Sequence, residues 1–254
     1  MTYAYDSEFF DFVNASARKS ARRFIEVLEQ NVFAARRVAN VIDVGCGRGV
    51  WAAEWLRRGA THVVGIDGDY VPRETLLFPS ECFLAADLSK PFDANARFEL
   101  VQCLEVAEHI APRAADTLID GLARHGDVIV FSAAVPGQGG EHHVNERDYA
   151  YWRGMFAARG YQMYDAIRPL LRNEADIEPW YRYNAFVYAN PAGAERLSAQ
   201  ARKCLLTPTQ AVPNFAPLAW RLRCRAISLL PAKIAHLAAR LKHRVANRLA
   251  AVRR

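Results

Sequence analysis

The segment VIDVGCGRG, residues 41–49, decides the fold of this chain of 254 residues. Its first four residues are typical of a buried strand, and a helical pattern follows its last glycine. Gly45, Gly47 and Gly49 let the backbone turn tightly and approach a ligand closely. A dinucleotide loop has the spacing GxGxxG, which would need a third glycine where the chain has Val50. The loop therefore predicts a nucleotide-like cofactor that has no pyrophosphate to bind.

Short apolar runs alternate with helical stretches after this loop, which is typical of an α/β protein with a doubly wound, Rossmann-like, mostly parallel sheet. The predicted strands cover residues 37–44, 61–67, 82–87, 98–104, 127–133 and 183–189, with one more after Gly160. The predicted helices cover residues 50–58, 113–125 and 146–159, and helical segments follow near 218–230 and 232–253. We expect an N-terminal helical cap (1–36), a central domain (37–192) and a basic helical C-terminal extension (193–254).

Acidic residues stand at the predicted carboxyl ends of successive strands. Asp43 immediately precedes the glycine loop, and Asp67 closes the second strand. A carboxylate at that second position can accept hydrogen bonds from both hydroxyls of a ribose. Asp87 closes the third strand, where a carboxylate can accept a hydrogen bond from an adenine amino group. The carboxyl edge of the sheet is thus the predicted cofactor site.

Four segments in this order and spacing resemble the class I S-adenosylmethionine-dependent methyltransferases. They are VIDVGCGRG (41–49), VVGIDGDYV (63–71), FLAADLSKPF (83–92) and FELVQCLEVAEHI (98–110), within a resemblance that covers about residues 36–190. The resemblance implies a seven-stranded sheet and S-adenosylmethionine as cofactor. The residues it implies for cofactor binding are Asp43, Gly45, Gly47, Gly49, Asp67, Gly68, Asp87, Leu88 and Leu104.

A polar cluster follows the fourth predicted strand. Glu105, Glu108 and His109 stand at positions i, i+3 and i+4, so a helical turn here would project all three to one face. Two carboxylates and an imidazole are ligands that suit Mg²⁺ or Mn²⁺. A second cluster, at 141–146, follows the fifth predicted strand, and we expect the two to converge. The alternative role for Glu108 and His109 is to cap and orient the next helix.

A neutral hydroxyl, with a pKa near ~16, needs a base or a metal ion before it is a good nucleophile. The segment EVAEHI resembles the ubiquinone-pathway O-methyltransferases and the methyltransferases that cap small-RNA 3′ ends, in which Glu-x-x-Glu-His and a later histidine bind a metal. The resemblance implies Glu105, Glu108, His109 and His143, or His142 in place of His143, as metal ligands. His143 and His109 are the candidate catalytic bases.

The acceptor is the least defined part of the prediction. Aromatic residues that could line a pocket for a flat or sugar-like acceptor, or simply pack in the core, are Tyr149, Tyr151, Trp152, Trp180, Tyr181 and Tyr183. The pattern SAAVPGQGGEHHVNE (132–146) resembles a bacterial subgroup associated with surface-polysaccharide and secondary-metabolite loci. We therefore expect O-methylation of a saccharide-like or other small acceptor. The alternatives are an RNA 2′-O-methyltransferase and a cofactor-binding module without catalysis.

Charge is distributed unevenly along the chain. Residues 196–254 contain 13 lysines and arginines and no acidic residue, whereas residues 1–195 contain 20 basic and 27 acidic residues. Apolar residues between Ile234 and Val252 recur every three or four positions beside these cations, which suits an anionic membrane surface or, alternatively, RNA phosphates. The five cysteines are scattered and predict neither disulfides nor a zinc site. The chain shows no signal-peptide pattern, so we expect a cytoplasmic protein. The basic, apolar C-terminal segment predicts that it lies at the periphery of the inner membrane face.

Overall fold

A computed structural model describes residues 7–33 and 36–230 of the chain, with side chains from residue 17 onward. Within these residues eight strands form one sheet in the order β3-β2-β1-β4-β5-β7-β6-β8. The strands are β1 Asn40–Val44, β2 His62–Asp67, β3 Phe83–Ala85, β4 Leu100–Leu104, β5 Val128–Ser132, β6 Gln162–Tyr164, β7 Phe186–Ala189 and β8 Leu205–Leu206. The α/β class predicted from the sequence is confirmed.

The first five strands in this order, β3 to β5, are parallel, and the last three pair in antiparallel fashion. The chain order reverses between β1 and β4, where a crevice opens at the carboxyl edge of a doubly wound sheet. The sheet has one strand more than the seven predicted. The added strand β8 is two residues long and comes from the part assigned to the extension, so it is too short to give a periodic signal.

The α-helices of the described chain precede, separate or follow the strands, but none lies between β2 and β3 or between β3 and β4. They are α1 Ser7–Val27, α2 Val50–Arg57, α3 Ala115–His125, α4 Tyr149–Ala157, α5 Arg168–Leu171, α6 Pro179–Asn184, α7 Pro191–Arg196, α8 Ala199–Arg202 and α9 Leu218–Ser228. Several boundaries predicted from the sequence are wrong by up to three residues, and β1, for example, begins at Asn40 and not at residue 37. The helix expected from residue 146 starts later, because Asp148 accepts a hydrogen bond from Tyr151 N as an N-cap. Tyr183, expected in a strand, lies in the last turn of the helix α6.

The core lies on both faces of the sheet. Alternate strand residues point to opposite faces, so Val41 packs with the helices α1 and α2, whereas its neighbour Ile42 packs with α3 and α4. Trp55 of α2 is fully buried and donates from Nε1 to Gln102 Oε1 in β4 (3.1 Å). This contact fixes the helix that follows the glycine loop against the centre of the sheet.

None of the described helices is long and apolar enough to span a bilayer. The helix predicted near 218–230 is present as α9. The segment predicted as helical at 232–253, on which the membrane and RNA alternatives rest, lies outside the described residues. All five cysteines lie in the described chain, where Cys46, Cys103 and Cys224 are buried.

Candidate active site

The glycine loop between β1 and α2 has a backbone conformation that residues other than glycine adopt only under strain. Gly45 and Gly49 have φ values of 80° and 82°, in the left-handed region. A Cβ at Gly45 would clash with the Val106 side chain, and one at Gly49 would clash with the Phe78 ring. The loop is therefore held close against its neighbours, and only glycine fits at these two positions.

Asp67, at the end of β2, holds this loop from the next strand. Its Oδ2 accepts from Gly47 N (2.7 Å), and its Oδ1 accepts from Gly68 N (2.7 Å) and from the Tyr70 hydroxyl (2.6 Å). Burial raises the pKa of Asp67, and these three hydrogen bonds oppose that shift. A carboxylate oxygen has about two acceptor positions, so Oδ2, with one donor among the described residues, retains room for a ligand hydroxyl.

Asp43 is a buried carboxylate with one oxygen satisfied. Its Oδ1 accepts from Gln102 Nε2 (2.9 Å), whereas its Oδ2 has no hydrogen-bond partner among the described residues. Burial raises the pKa of Asp43 to about 7, against the opposing effect of the Gln102 hydrogen bond. A buried carboxylate with an unsatisfied oxygen beside a glycine loop is suited to a cationic ligand group.

The remaining predicted cofactor residues lie along the same edge. Asp87 follows β3 and is half-buried, and its Oδ1 accepts from both the backbone N and the hydroxyl of Ser89 (3.0 and 2.6 Å). The hydroxyl bond lowers the pKa of Asp87. Leu88 is buried next to it, and Leu104 ends β4. The carboxyl ends of β1 to β4 thus bring all the predicted cofactor residues to one edge of the sheet.

The segment after β4 differs from the single helical turn that the sequence predicts. Glu105 has φ 56°, in the left-handed region, and the one-turn 3₁₀ helix begins only at Ala107. The prediction that Glu105, Glu108 and His109 share one face of a helical turn is therefore wrong. A non-glycine residue held in this conformation stores strain, which is common at functional sites.

Glu108, His109 and His143 form a cluster in which one nitrogen or carboxylate oxygen of each residue lies within 4.8 Å of the others. Glu108 is fully buried, and neither carboxylate oxygen has a hydrogen-bond partner among the described residues. Burial, followed by the nearby Glu105 carboxylate, raises the pKa of Glu108 well above its usual value. Burial, followed by the His143 ring, lowers the pKa of His109 well below its usual value. The structure brings His143, and not His142, into this cluster.

Backbone contacts hold the two halves of this cluster together. The Glu108 carbonyl accepts from Val144 N (2.8 Å) and Asn145 N (3.0 Å), so the predicted convergence of the two polar segments is confirmed. His143 Nδ1 donates to Glu146 Oε1 (2.8 Å), and the backbone amides of Gly137 and Gly139 donate to the same carboxylate. An imidazole that gives Nδ1–H to a carboxylate has Nε2 as its acceptor nitrogen, the arrangement usual for metal-binding histidines.

Glu105 is held by two amides that the sequence analysis did not single out for the site. Gln138 Nε2 donates to Glu105 Oε2 (2.6 Å), and Asn184 Nδ2 donates to Gln138 Oε1 (2.7 Å) and to Glu105 Oε1 (3.4 Å). The Tyr149 hydroxyl in turn donates to Asn184 Oδ1 (3.1 Å). The sequence signal for Gln138 is weak: it is the one large polar residue among the three glycines of the connector PGQGG.

The fold and the carboxyl edge of the sheet together define the class of protein. It is a doubly wound α/β domain with a glycine loop and carboxylates at the point where the strand order reverses. Residues 15–171 match the family model described as a methyltransferase domain, which is more than half of the chain. The chain belongs to this family of methyltransferase domains, and the family predicted from the sequence is confirmed.

Among curated proteins, the chain is similar to a ubiquinone biosynthesis O-methyltransferase of Neisseria meningitidis, with 35% identity over 89 residues. The match covers 31% of this chain and 37% of that protein, so the chain spans little more than a third of the relative's length.

Two solved structures share the fold. The sugar N-methyltransferase of Streptoalloteichus has a TM-score of 0.55 and 15% identity, with 75% of this chain and 94% of that chain covered. The magnesium protoporphyrin IX methyltransferase of Synechocystis, solved with bound SAH, has a TM-score of 0.50 and 16% identity, with 74% and 90% covered. At these identities the likeness concerns the fold alone.

Proposed function

We propose that the protein transfers a methyl group from S-adenosylmethionine to an oxygen of a saccharide-like or other small acceptor. The family supports methyl transfer, and the observation that carries the cofactor is the unsatisfied Asp43 oxygen beside the glycine loop that Asp67 holds. When bound, S-adenosylmethionine supplies a sulfonium methyl group, which needs an attacking atom roughly 3 Å away and in line.

The described residues fit each part of this cofactor. The ammonium group of its methionine portion would satisfy Asp43 Oδ2, which has no partner among the described residues. A ribose hydroxyl would donate to the remaining acceptor position of Asp67 Oδ2, and Asp87 with the buried Leu88 would flank the adenine. The close approach of a ligand to the loop requires the absence of side chains at Gly45 and Gly49.

The acceptor hydroxyl would be deprotonated at the cluster that follows β4. His109 and His143 are the proposed bases, since their rings are 4.8 Å apart and the depressed pKa of His109 keeps it neutral. The same donor set fits a divalent cation such as Mg²⁺ or Mn²⁺, because Glu108 is a buried carboxylate without a partner among the described residues and Glu146 orients His143. Such an ion would lower the pKa of a bound hydroxyl. Glu105, which stands beside this cluster, is the fourth proposed ligand.

The choice of oxygen is supported by an O-methylating relative, and the saccharide-like class by the pattern of residues 132–146. The aromatic residues contribute less than the sequence suggested. Tyr181 is buried with its ring edge-on to Trp51, and Trp152 is buried against Phe131. Trp180 is half-buried, and its ring lies 6.1 Å from that of Tyr181. Peripheral attachment to a membrane through residues 232–253 is a further proposal that concerns residues outside the described chain.

The cofactor assignment is tested by titration calorimetry with S-adenosylhomocysteine. Asp67→Asn should weaken binding about 10- to 100-fold, because it removes a charge-assisted hydrogen bond worth about 1.5–3 kcal/mol. Asp176→Asn, at an exposed position, is the matched control and should bind as the unaltered protein does. Equal affinity in the two variants would remove Asp67 from the cofactor site.

The metal assignment is tested by calorimetric titration of the metal-stripped protein with Mn²⁺ alone. Glu108→Gln should abolish binding at micromolar Mn²⁺, because it removes the buried carboxylate of the cluster. The control is Glu81→Gln on the exposed surface. If stripped protein binds no Mn²⁺, or if both variants bind it equally, the cluster is not a metal site, and His109 or His143 would act as base without one.

A further inference from the structure

The helix α9 packs directly on the connector that holds Glu105. A Cβ at Gly137 would clash with the Cys224 carbonyl, so the helix backbone lies against this glycine. Arg223 Nη1 donates to the Gln138 carbonyl (2.9 Å), and Cys224 is buried. The inner face of α9 therefore rests on the residue whose amide holds the Glu105 carboxylate.

The opposite face of α9 exposes large apolar side chains. Leu218 and Leu222 are 66% and 58% exposed, and Leu229, just after the helix, is 80% exposed. At 3.6 residues per turn these leucines lie within about 40° of one another around the helix axis. Elsewhere in the described chain, the exposed large apolar residues Leu77, Val144 and Leu170 are 40–45% exposed and are scattered. The outer face of α9 is thus the main apolar patch of the described surface.

Cations flank this patch. Arg221 and Arg225 are exposed one turn apart on the same side of α9. Glu195 is the last acidic residue of the chain, so no acidic side chain within α9 or after it compensates these charges. A helix with leucines on its outer face, arginines beside them and no acid is suited to the interface of a bilayer that contains anionic lipids.

We propose that the outer face of α9, defined by Leu218, Arg221, Leu222, Arg225 and Leu229, docks onto an anionic lipid surface. RNA would pair with the arginines but leave the leucines in water, so the apolar patch favours lipid. If the proposed function holds, docking through α9 places the Glu105 side of the site beside the bilayer. The acceptor class is then an amphiphile whose polar, saccharide-like part projects from the membrane.

The test is cosedimentation of the full chain with vesicles of phosphatidylglycerol and phosphatidylcholine, about 3:7, at physiological salt. Leu218→Glu combined with Leu222→Glu should lower the apparent affinity at least about tenfold, because it removes apolar burial and adds repulsion from the anionic lipid. Leu170→Glu, at an exposed leucine away from α9, is the control and should bind as the unaltered protein does. Residues 231–254 are present in every variant, so any lipid binding of their own is constant.

Several results would overturn the proposal. Equal vesicle binding by the double variant and the control would mean that α9 does not contact lipid. A larger drop in melting temperature for the double variant than for the control would show that another part of the chain covers the leucines. A change of oligomeric state in light scattering would assign the face to a second copy, and loss of binding to single-stranded RNA alone would assign it to RNA. Binding of S-adenosylhomocysteine, measured separately, tests the cofactor independently of these outcomes.

Discussion

Replacing Asp43 by asparagine removes a buried carboxylate whose pKa burial raises to about 7. In the unfolded chain an aspartate has a pKa of about 3.8–3.9. Between these two values the folded protein keeps a proton that the unfolded chain has lost. The free energy of unfolding therefore falls as pH rises through this window and levels off above about pH 7.

The size of the effect follows from the difference between the two pKa values. The pKa of the folded state lies roughly three above that of the unfolded chain, which corresponds to about 4 kcal/mol over the whole window. Between about pH 5.5 and about pH 8.5 the same relation gives a loss of about 2 kcal/mol. The asparagine amide of the variant Asp43→Asn would keep an acceptor for Gln102 but would not titrate. Other buried carboxylates contribute to both proteins, so the difference between the two pH profiles isolates Asp43.

Urea unfolding at a series of pH values, without cofactor, measures this difference. We expect the free energy of unfolding of the unaltered protein to decrease by about 2 kcal/mol more than that of Asp43→Asn from about pH 5.5 to about pH 8.5. Saturating S-adenosylhomocysteine should remove most of the difference, because its ammonium group favours the ionised carboxylate. Parallel pH profiles without ligand would refute the assignment of a raised pKa to Asp43. An undiminished difference with ligand would refute the ammonium contact.

Three further predictions concern the glycine loop, the connector and a buried ion pair. Gly49→Ala should weaken S-adenosylhomocysteine binding in calorimetry, because its Cβ would clash with Phe78 at a positive φ; unchanged affinity would contradict a tightly held loop. Gln138→Leu should lower the free energy of unfolding in urea by about 1–3 kcal/mol, because the Glu105 carboxylate loses its short hydrogen bond; an unchanged value would show that this bond contributes nothing to stability. Arg168→Met should lower the free energy of unfolding by about 3–5 kcal/mol in the same assay, because it leaves the buried carboxylate of Asp165 without its ion-pair partner. A double variant with Asp165→Leu should recover part of this loss.

The cofactor half of the site could be predicted from the sequence because its determinants are local. A strand, a glycine loop and a helix follow one another within residues 40–57, and each carries its own signal. The carboxyl ends of parallel strands meet at one edge, so Asp43, Asp67 and Asp87 are brought together by topology alone. The structure places all three on that edge, as expected.

The other half depends on contacts that no local pattern records. Glu105 is bound by Gln138, 33 positions away, and by Asn184, 79 positions away, through side-chain amides. The helical spacing of Glu105, Glu108 and His109 predicted one shared face, but the left-handed backbone at Glu105 breaks the turn. The Glu105 and Glu108 carboxylates nevertheless lie close enough for Glu105 to raise the pKa of Glu108. The short strand β8 could not be predicted from the sequence for a different reason, because two residues are too few to show a periodic pattern.

The two halves of the site are also held by different chemical groups, and this difference bears on specificity. The glycine loop is fixed by its backbone amides: Gly47 N donates to Asp67 Oδ2, and Gly45 N and Cys46 N donate to the Ile66 carbonyl. The Glu105 side is fixed by side chains: Gln138 and Asn184 hold the carboxylate, and α9 holds Gln138 from outside through Arg223. A substitution in any of these side chains changes the support of the Glu105 carboxylate, and none of them makes a hydrogen bond to Asp67. If the proposed function holds, we expect acceptor choice to depend on the connector, α6 and α9, three segments that lie outside the glycine loop and far from it in the sequence.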